Sequence, residues 1–254
     1  MGRPLTGMNP ASAIRQPLLK RFAGRVFDGG WVLSYALFPR SYRLYRAYKL
    51  FGNWLFGQQE AVLPKLDWTQ VGVVIDGFRH SGNTFLTHNL QPAWRPRVAS
   101  IVHRSWVLAG AARRGIPAFL LIRDPLEVAW SRRYRVAGGE AATYGVASSV
   151  SATLLCWYLY YGSAWHLRSH LVVLPFPMLA HDYPALRARV EARIGPAMAP
   201  SPSFEMQNRF EGPRPQEELS AFATWLLRRC QRRFELFIKL AEAIGVPEAY
   251  CRKA

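Results

Sequence analysis

The chain of 254 residues is long enough for one large domain or two small ones, and half of its residues are apolar, so it can bury a substantial core. Its 33 lysines and arginines against 16 aspartates and glutamates give a formal net charge of +17. This excess favours anionic partners: nucleotides, nucleic acid, sulfated or phosphorylated substrates, or an acidic membrane surface. The cysteines, Cys156, Cys230 and Cys251, are too few and too widely spaced to suggest a disulfide framework or a zinc knuckle.

No apolar run approaches the ~20 residues that a membrane span requires, and the N-terminal segment lacks the continuous apolar stretch of a secretory signal. We therefore expect a cytoplasmic protein. Glycine, proline and basic residues are scattered over residues 1–24 without an apolar period, which predicts a mobile or loosely packed lead-in segment. Residues 25–254 are expected to form one domain, since the sequence shows no internal repeat and no sign of a second domain.

Residues 31–56 are rich in aromatic and basic side chains. Each kind recurs every three positions: Tyr42, Tyr45, Tyr48 and Phe51, beside Arg43, Arg46 and Lys49. This spacing predicts a helix that packs on the domain with its basic side chains in solvent. The alternative is peripheral contact of the same helix with anionic lipid.

From about residue 71 the pattern alternates between short apolar runs and amphipathic segments, which is typical of a parallel β-sheet flanked by helices. The predicted strands cover 71–76, 98–102, 117–122 and 171–176. The predicted helices begin near 82 and at 125, and further helices cover 104–114, part of 148–170, 184–194 and 216–244. The last helix has its apolar stripe at Leu219, Phe222, Leu226, Cys230, Phe234 and Ile238. Residues 196–215 are crowded with proline, serine, glycine and arginine, which predicts a long surface loop. The sequence therefore predicts an α/β fold in a single domain.

The segment "VVIDGFRHSGNTFL", residues 73–86, joins a predicted strand to a predicted helix through a Gly-x-x-x-x-Gly loop. Such a turn directs backbone N–H groups and the positive end of the helix dipole at one point, which suits a phosphate group. Asn83 stands where a nucleotide-hydrolysing phosphate loop places lysine, and this makes ordinary hydrolysis of ATP or GTP a poor interpretation.

A second segment, "AFLLIRDPLEVAWSRRYR", lies one strand and helix further along the chain. A buried strand ends at Arg123, Pro125 begins a helix, and Ser131 follows eight residues after the arginine. Both Arg123 and Ser131 are expected at the carboxyl edge of the sheet, where open α/β folds bind their ligands.

Together these two segments resemble the sulfotransferases that use 3′-phosphoadenosine 5′-phosphosulfate (PAPS) and release adenosine 3′,5′-bisphosphate (PAP). That family carries a loop of the form Pro-Lys/Arg-Ser-Gly-Asn/Thr-Thr and, later, Arg-Asp-Pro with a serine at this same spacing. The resemblance implies a P-loop nucleotide-binding-like fold and no metal. It implies that Arg123 and Ser131 hold the 3′-phosphate of the donor. It also implies a donor site at the loop, with Ser81 to Thr84 on the 5′-phosphosulfate, built from Arg79, His80, Ser81, Gly82, Asn83, Thr84 and Phe85.

The sequence departs from this family in two places. The proline and the Lys/Arg of the loop become Arg79 and His80, so the cation beside the leaving phosphate is either a histidine or an arginine shifted by one position. The family's late Arg-Lys-Gly element is not recognisable, and Arg209 and Arg214 are candidates to replace it.

A sulfotransferase needs a base for the hydroxyl of its acceptor. From Gly77 to Arg123 inclusive the sequence has seven arginines but no aspartate or glutamate, so a base from this stretch must be a histidine. His103 follows the predicted strand beside the loop strand, and a neutral imidazole accepts a proton at physiological pH. Asp76 is the next candidate. The remaining histidines are expected to be packing or surface residues: His88, His166, His170 and His181.

Two other functions stay open at this point. A P-loop kinase would use Asp124 for magnesium, and a basic module for nucleic acid or a membrane surface would carry a degenerate loop. For the sulfotransferase itself we expect no nucleic-acid partner. Its acceptor is undefined among a carbohydrate, a lipid and a phenol, with the aromatic residues 157–161 and the loop 196–215 as the candidate pocket.

Overall fold

The computed structural model describes residues 32–36, 42–43, 46–47, 50, 66–90, 98–100, 103–135, 149–199 and 219–246. The predictions for residues 1–24, 200–215 and most of 31–56 lie outside these ranges. The described strands are β1 (Val73–Gly77), β2 (Val98–Ser100), β3 (Ala118–Ile122) and β4 (Leu171–Pro175). The described helices are α1 (Asn83–His88), α2 (Ser105–Ala112), α3 (Pro125–Arg135), α4 (Val150–Trp165), α5 (Phe176–His181), α6 (Tyr183–Ile194) and α7 (Ala221–Ala243), with a 3₁₀ turn at Arg168–His170.

The four strands form one parallel sheet in the order β2-β1-β3-β4. In its register Val74 lies beside Ala99 of β2, and Ile75 lies beside Phe119 of β3. Every residue of β1 and β3 is buried, as expected for central parallel strands covered by helices on both faces. The predicted α/β fold, with a single domain and a central parallel sheet flanked by helices, is confirmed.

Successive side chains of each strand pack into two apolar cores, one on each face of the sheet. Leu120 and Val173 face one core, which is shared with α2, α4 and α7. Ile75 and Phe119 face the other, which is shared with α1, α5 and α6. This division follows from the two-residue period of a strand, and it buries continuous apolar runs on both sides of the sheet.

Helix α7 confirms most of its predicted stripe and corrects one position. The thiol of Cys230 is buried beside Leu226 and Phe234 and is not in a disulfide. Phe222, predicted on the same stripe, is instead exposed, because it lies at the edge of the buried face and stacks on Trp225 with ring centroids 6.0 Å apart. None of the described helices is long and apolar enough to cross a bilayer.

Part of the N-terminal helical segment contacts the first core through Val32, Tyr35 and Tyr42. Tyr35 is buried against Phe78, with ring centroids 5.6 Å apart, and Tyr42 packs edge-on against Trp106 at 5.2 Å. Arg43, on the other hand, is exposed. These contacts agree with a helix that packs on the domain through its aromatic side and leaves arginine in solvent.

The buried carboxylate of Asp76 joins the end of β1 to the start of α2. Its two oxygens accept the backbone N–H groups of His103 at 2.9 Å and of Arg104 at 3.1 Å. Burial raises the pKa of Asp76 to about 7, although these N–H groups and the Tyr160 hydroxyl act to lower it. The carboxylate thus fixes the segment around His103 relative to the loop that follows β1.

We expect Asp76→Asn to lower the free energy of unfolding by about 1–3 kcal/mol, because one of the two buried N–H groups then faces an NH₂ group. The folded state binds the Asp76 proton more tightly than the unfolded state, so the wild type loses stability at this site as pH rises from about 4 to about 7. Asparagine has no such dependence. Urea unfolding should therefore show a deficit that is largest near pH 4 and smaller at pH 8.

Asp67→Asn is the control with the opposite sign. Hydrogen bonds from Thr69 lower the pKa of the exposed Asp67 carboxyl, so its contribution is present at neutral pH and is lost as pH falls. Any deficit of this variant should grow with pH. A deficit of Asp76→Asn that is constant across the pH range would contradict the raised pKa.

Candidate functional site

The candidate site lies where β1 and β3 end side by side. These strands are neighbours, but the chain leaves β1 toward β2 at one edge of the sheet and leaves β3 toward β4 at the other. Such a reversal opens a crevice at the carboxyl ends of the two strands, which is where open α/β folds bind ligands. The loop 78–82 follows β1, and Arg123 follows β3 directly, so the structure brings the two predicted segments together in this crevice.

The loop after β1 is a tight turn with two residues in the left-handed region. His80 has φ 67° and Gly82 has φ 94°, and the Ser81 N–H bonds the Phe78 carbonyl at 3.2 Å. Glycine suits the second position, since a Cβ there would also lie 3.1 Å from Leu179. The first helical hydrogen bond of α1 runs from the Leu86 N–H to the Gly82 carbonyl, so the preceding N–H groups have no carbonyl of the helix to bind.

Two of the loop side chains that were predicted to hold the donor point into the protein. The Ser81 hydroxyl lies 3.4 Å from the Tyr161 hydroxyl, which donates to the Leu121 carbonyl at 2.6 Å. The ring of Phe85 is buried edge-on against Tyr183. Only the backbone of these two residues is therefore available to a ligand, whereas the Thr84 side chain is exposed.

Asn83 occupies the position of the P-loop lysine, and its side chain is also buried. Its Nδ2 donates to the Gly77 carbonyl at 3.0 Å and lies 3.0 Å from Nδ1 of His103. The Asn83 side chain therefore ties the loop to Gly77 at the end of β1 and packs beside the imidazole of the candidate base, and it leaves only its N–H group for a phosphate.

His103 lies beside the loop, where the sequence predicts the base. It has φ 52°, and its Nδ1 is 2.8 Å from the Gly77 carbonyl and 3.9 Å from Asp76 Oδ1. Because a carbonyl only accepts, the shorter contact assigns the proton to Nδ1 and leaves Nε2 as the proton acceptor. Burial, together with the charges of Arg79 and Arg104, lowers the pKa of His103 to about 3, so the imidazole is neutral at physiological pH. The side chain remains 13% exposed.

Arg79 is half-buried at the opening of the loop. Its positive charge acts to lower the pKa of His103, so the guanidinium is close enough to the imidazole to interact with it electrostatically. Its Nε is buried and has no hydrogen-bond partner among the described residues. A buried donor of this kind is costly unless a ligand or water accepts from it.

Arg123 is buried and contacts the loop directly. Its guanidinium donates to the His80 carbonyl at 3.2 Å and to the Glu127 carboxylate at 3.1 Å, and it lies 3.9 Å over the ring of Phe176. Among the described contacts these bonds use two of its five N–H donors. Ser131 lies one helical turn beyond Glu127 on the same face of α3 and is half-buried, so it follows the arginine along this side of the crevice.

Other residues that the sequence offered as site candidates have a structural role or lie on the surface. Oδ1 of Asp124 accepts the N–H groups of Leu126 at 2.8 Å and Glu127 at 2.9 Å, which makes this carboxylate the cap of α3. Exposed positions on the surface are confirmed for His88, His166, His170 and His181. The prediction that residues 157–161 line an acceptor pocket is wrong for Trp157, Tyr160 and Tyr161. These side chains are buried in the first core.

The sequence did not indicate a site role for Glu127 or Phe176, and it predicted Tyr161 only as part of the acceptor pocket. Glu127 follows Arg123 at the i,i+4 spacing of a helical ion pair, and that spacing was a usable signal. Phe176, under the Arg123 guanidinium, and Tyr161, behind the loop, come from distant parts of the chain and leave no local pattern.

Comparisons of this chain with protein-family models, with curated proteins and with solved structures give no significant match.

Proposed function

We propose that this protein is a PAPS-dependent sulfotransferase that transfers a sulfuryl group to a hydroxyl of an acceptor. The observation that carries the proposal is the contact of Arg123 with the loop, through the His80 carbonyl at 3.2 Å. This contact sets a buried cation beside a phosphate-type loop in the crevice between two parallel strands. A nucleotide with phosphate at both its 5′ and 3′ positions matches two adjacent anion sites.

In this proposal the 5′-phosphosulfate lies on the loop. The N–H groups of Gly82, Asn83 and Thr84 and the Thr84 hydroxyl bind its oxygens, and the Arg79 side chain supplies the positive charge. The 3′-phosphate lies on the remaining N–H donors of Arg123 and on Ser131. The lysine of a hydrolysing P-loop is not required, because this donor has no γ-phosphate.

The reaction is an in-line displacement at sulfur. The acceptor oxygen forms a bond to sulfur, the bond from sulfur to the bridging oxygen of the donor breaks, and PAP leaves with the electron pair. The acceptor proton passes to Nε2 of His103, while the loop N–H groups, Arg79 and His80 stabilise the charge that develops on the bridging oxygen.

The low pKa of His103 belongs to the protein without its ligand. A donor with several negative charges opposes the effect of Arg79 on the imidazole and raises the pKa of His103 toward the range of an effective base. Donor binding thereby increases the basicity of the group that must accept the proton.

The kinase alternative is weaker on this geometry. Its magnesium ligand would be Asp124, and that carboxylate caps α3 through two N–H groups. Asn83, in the position of the phosphate-binding lysine, is buried against Gly77 and His103.

We expect PAP to raise the melting temperature far more than AMP does, because only PAP offers a 3′-phosphate to Arg123. Calorimetry should show PAP binding roughly tenfold tighter or more, the usual scale of a hydrogen bond to a charged group. Arg123→Ala should remove most of this difference. Arg187→Ala is the matched control. Arg187 also pairs with a glutamate at the i,i+4 spacing, since its Nε lies 3.0 Å from Oε1 of Glu191 on α6, and this pair is outside the crevice.

Glu127→Gln tests the same site without removing the arginine. It deletes a negative charge next to the proposed 3′-phosphate, so PAP affinity should stay the same or increase. Equal affinities for PAP and AMP in the wild type would overturn the role of Arg123 and Ser131. Tight binding of ATP with magnesium, together with steady ATP turnover, would favour the kinase instead.

We expect His103→Ala to retain PAP affinity and to lower sulfuryl transfer by about 10²–10⁴, the usual contribution of a general base. His80→Ala should weaken donor binding as well as turnover, whereas His80→Lys should keep both. The rates are measured with labelled donor and an extract of the protein's own cell, which also identifies the acceptor. His88→Ala, at an exposed histidine of α1, is the control. Normal turnover by His103→Ala would move the role of the base to another residue.

A further inference from the structure

The outer face of α7 carries three of the six large apolar side chains that the described residues expose. These exposed side chains are Leu33, Leu50, Phe222, Trp225, Leu236 and Ile244. Phe222 is 53% exposed, Trp225 52% and Leu236 45%, all three on α7, and Ile244 follows the helix directly. Solvated apolar side chains concentrated on one helix indicate a contact surface, whereas single ones scattered over a protein do not.

The same face is strongly basic. Positions 222, 225, 229, 232 and 236 follow one another at steps of three or four residues, so they form a single stripe along the helix. Exposed cations lie in the stripe and beside it: Arg228, Arg229, Arg232 and Lys239. The acidic residues of α7, Glu235 and Glu242, lie along one edge of this face, which leaves it with a net positive charge.

The two aromatic rings on this face contact each other and an arginine. Phe222 and Trp225 stack at an interplanar angle of 23°, and the Arg229 guanidinium lies 5.2 Å from the centroid of the Trp225 ring. Because the two rings stack on each other and an arginine approaches the tryptophan, fewer ring faces are open to a nucleic-acid base than on isolated exposed rings. Leu236, an aliphatic side chain, offers no stacking surface at all.

The basic surface of α7 meets α4 at Arg233. Arg233, next to the stripe on the helix, donates to the Tyr158 carbonyl at 2.9 Å and lies 4.1 Å over the Tyr158 ring. Its guanidinium is therefore fixed at the border between the two helices. An interfacial helix lies in the plane of the membrane surface. Such a helix typically places tryptophan and phenylalanine side chains beside arginine and lysine, and α7 has this pattern on its outer face.

We propose that the outer face of α7 docks on a bilayer that contains anionic lipids. Phe222, Trp225 and Leu236 enter the headgroup region, and the basic side chains of α7 lie on the lipid phosphates. This surface is separate from the proposed donor site and does not depend on the proposed reaction. It also differs from the N-terminal helix, the segment for which the sequence raises lipid contact.

The experiment measures co-sedimentation of the full chain with vesicles. We expect binding to equimolar phosphatidylcholine and phosphatidylglycerol, weak binding to phosphatidylcholine alone, and loss of binding at ~1 M salt, where the Debye length is about 3 Å. The variant Arg228→Gln/Arg229→Gln/Arg232→Gln should bind at least about tenfold more weakly, given the usual effect of each basic residue near an anionic surface. Phe222→Ser/Trp225→Ser should lose binding at both lipid compositions.

Two controls locate the contact. Arg43→Gln/Arg46→Gln removes exposed charge from the N-terminal helix and should bind like the wild type. Trp225→Phe should bind nearly as well as the wild type but lose most of the fluorescence quenching by brominated lipid, because it removes the tryptophan at the bilayer. Melting temperatures check that each variant is folded.

Three results would overturn the proposal. The first is equal binding of the α7 triple variant and the wild type. The second is loss of binding in Arg43→Gln/Arg46→Gln alone, which would assign the contact to the N-terminal helix. The third is a wild type that ignores the anionic vesicles and binds single-stranded oligonucleotides through Trp225.

Discussion

The structure around the crevice depends on the carboxylate of Asp76. This residue is fully buried and lies one position before the end of β1. A buried carboxylate is expensive unless donors surround it, and here the donors are the backbone N–H groups of the segment that carries His103. The strand, the loop and the neighbouring connection are thus held together by a group with no access to a ligand. His103 adopts a left-handed backbone conformation in this arrangement, which costs free energy and is maintained by the bonds on both sides.

Two buried arginines near the crevice, Arg104 and Arg123, pack against aromatic rings, and only Arg123 of the two has an acidic partner among the described ion pairs, Glu127. The Arg104 guanidinium lies 3.8 Å from the centroid of the Tyr35 ring, and it donates to the Ser34 hydroxyl. Arg123 lies over Phe176 in the same way. A ring desolvates one face of a guanidinium but leaves its edge donors oriented, so the arginine keeps both its charge and its hydrogen-bonding capacity.

The sequence predicted the sheet well because its strands are continuous apolar runs between polar turns. It missed α5 as a separate helix, since "LVVLPFP" reads as one strand that continues through Phe176. It also identified the residues that meet at the crevice, because strand ends converge in a parallel sheet. The sequence did not predict in which direction the loop side chains point. Ser81 and Asn83 turn inward because His80 and Gly82 take left-handed conformations, and a non-glycine residue such as His80 gives no local sign of one. Likewise, helical spacing alone assigned Phe222 to the core, but the end of an apolar stripe is decided by what packs against it.

The hydroxyl of Tyr161 accepts the Phe78 N–H across 83 residues of sequence and donates to the Leu121 carbonyl of β3. The loop is therefore supported from behind by a helix that the ribosome makes much later than the loop itself. A nascent chain that stops before α4 contains the whole loop in its sequence but lacks the Tyr161 hydroxyl that supports it. The support of the loop therefore depends on the docking of α4, a long-range contact that forms only when this helix packs onto the sheet.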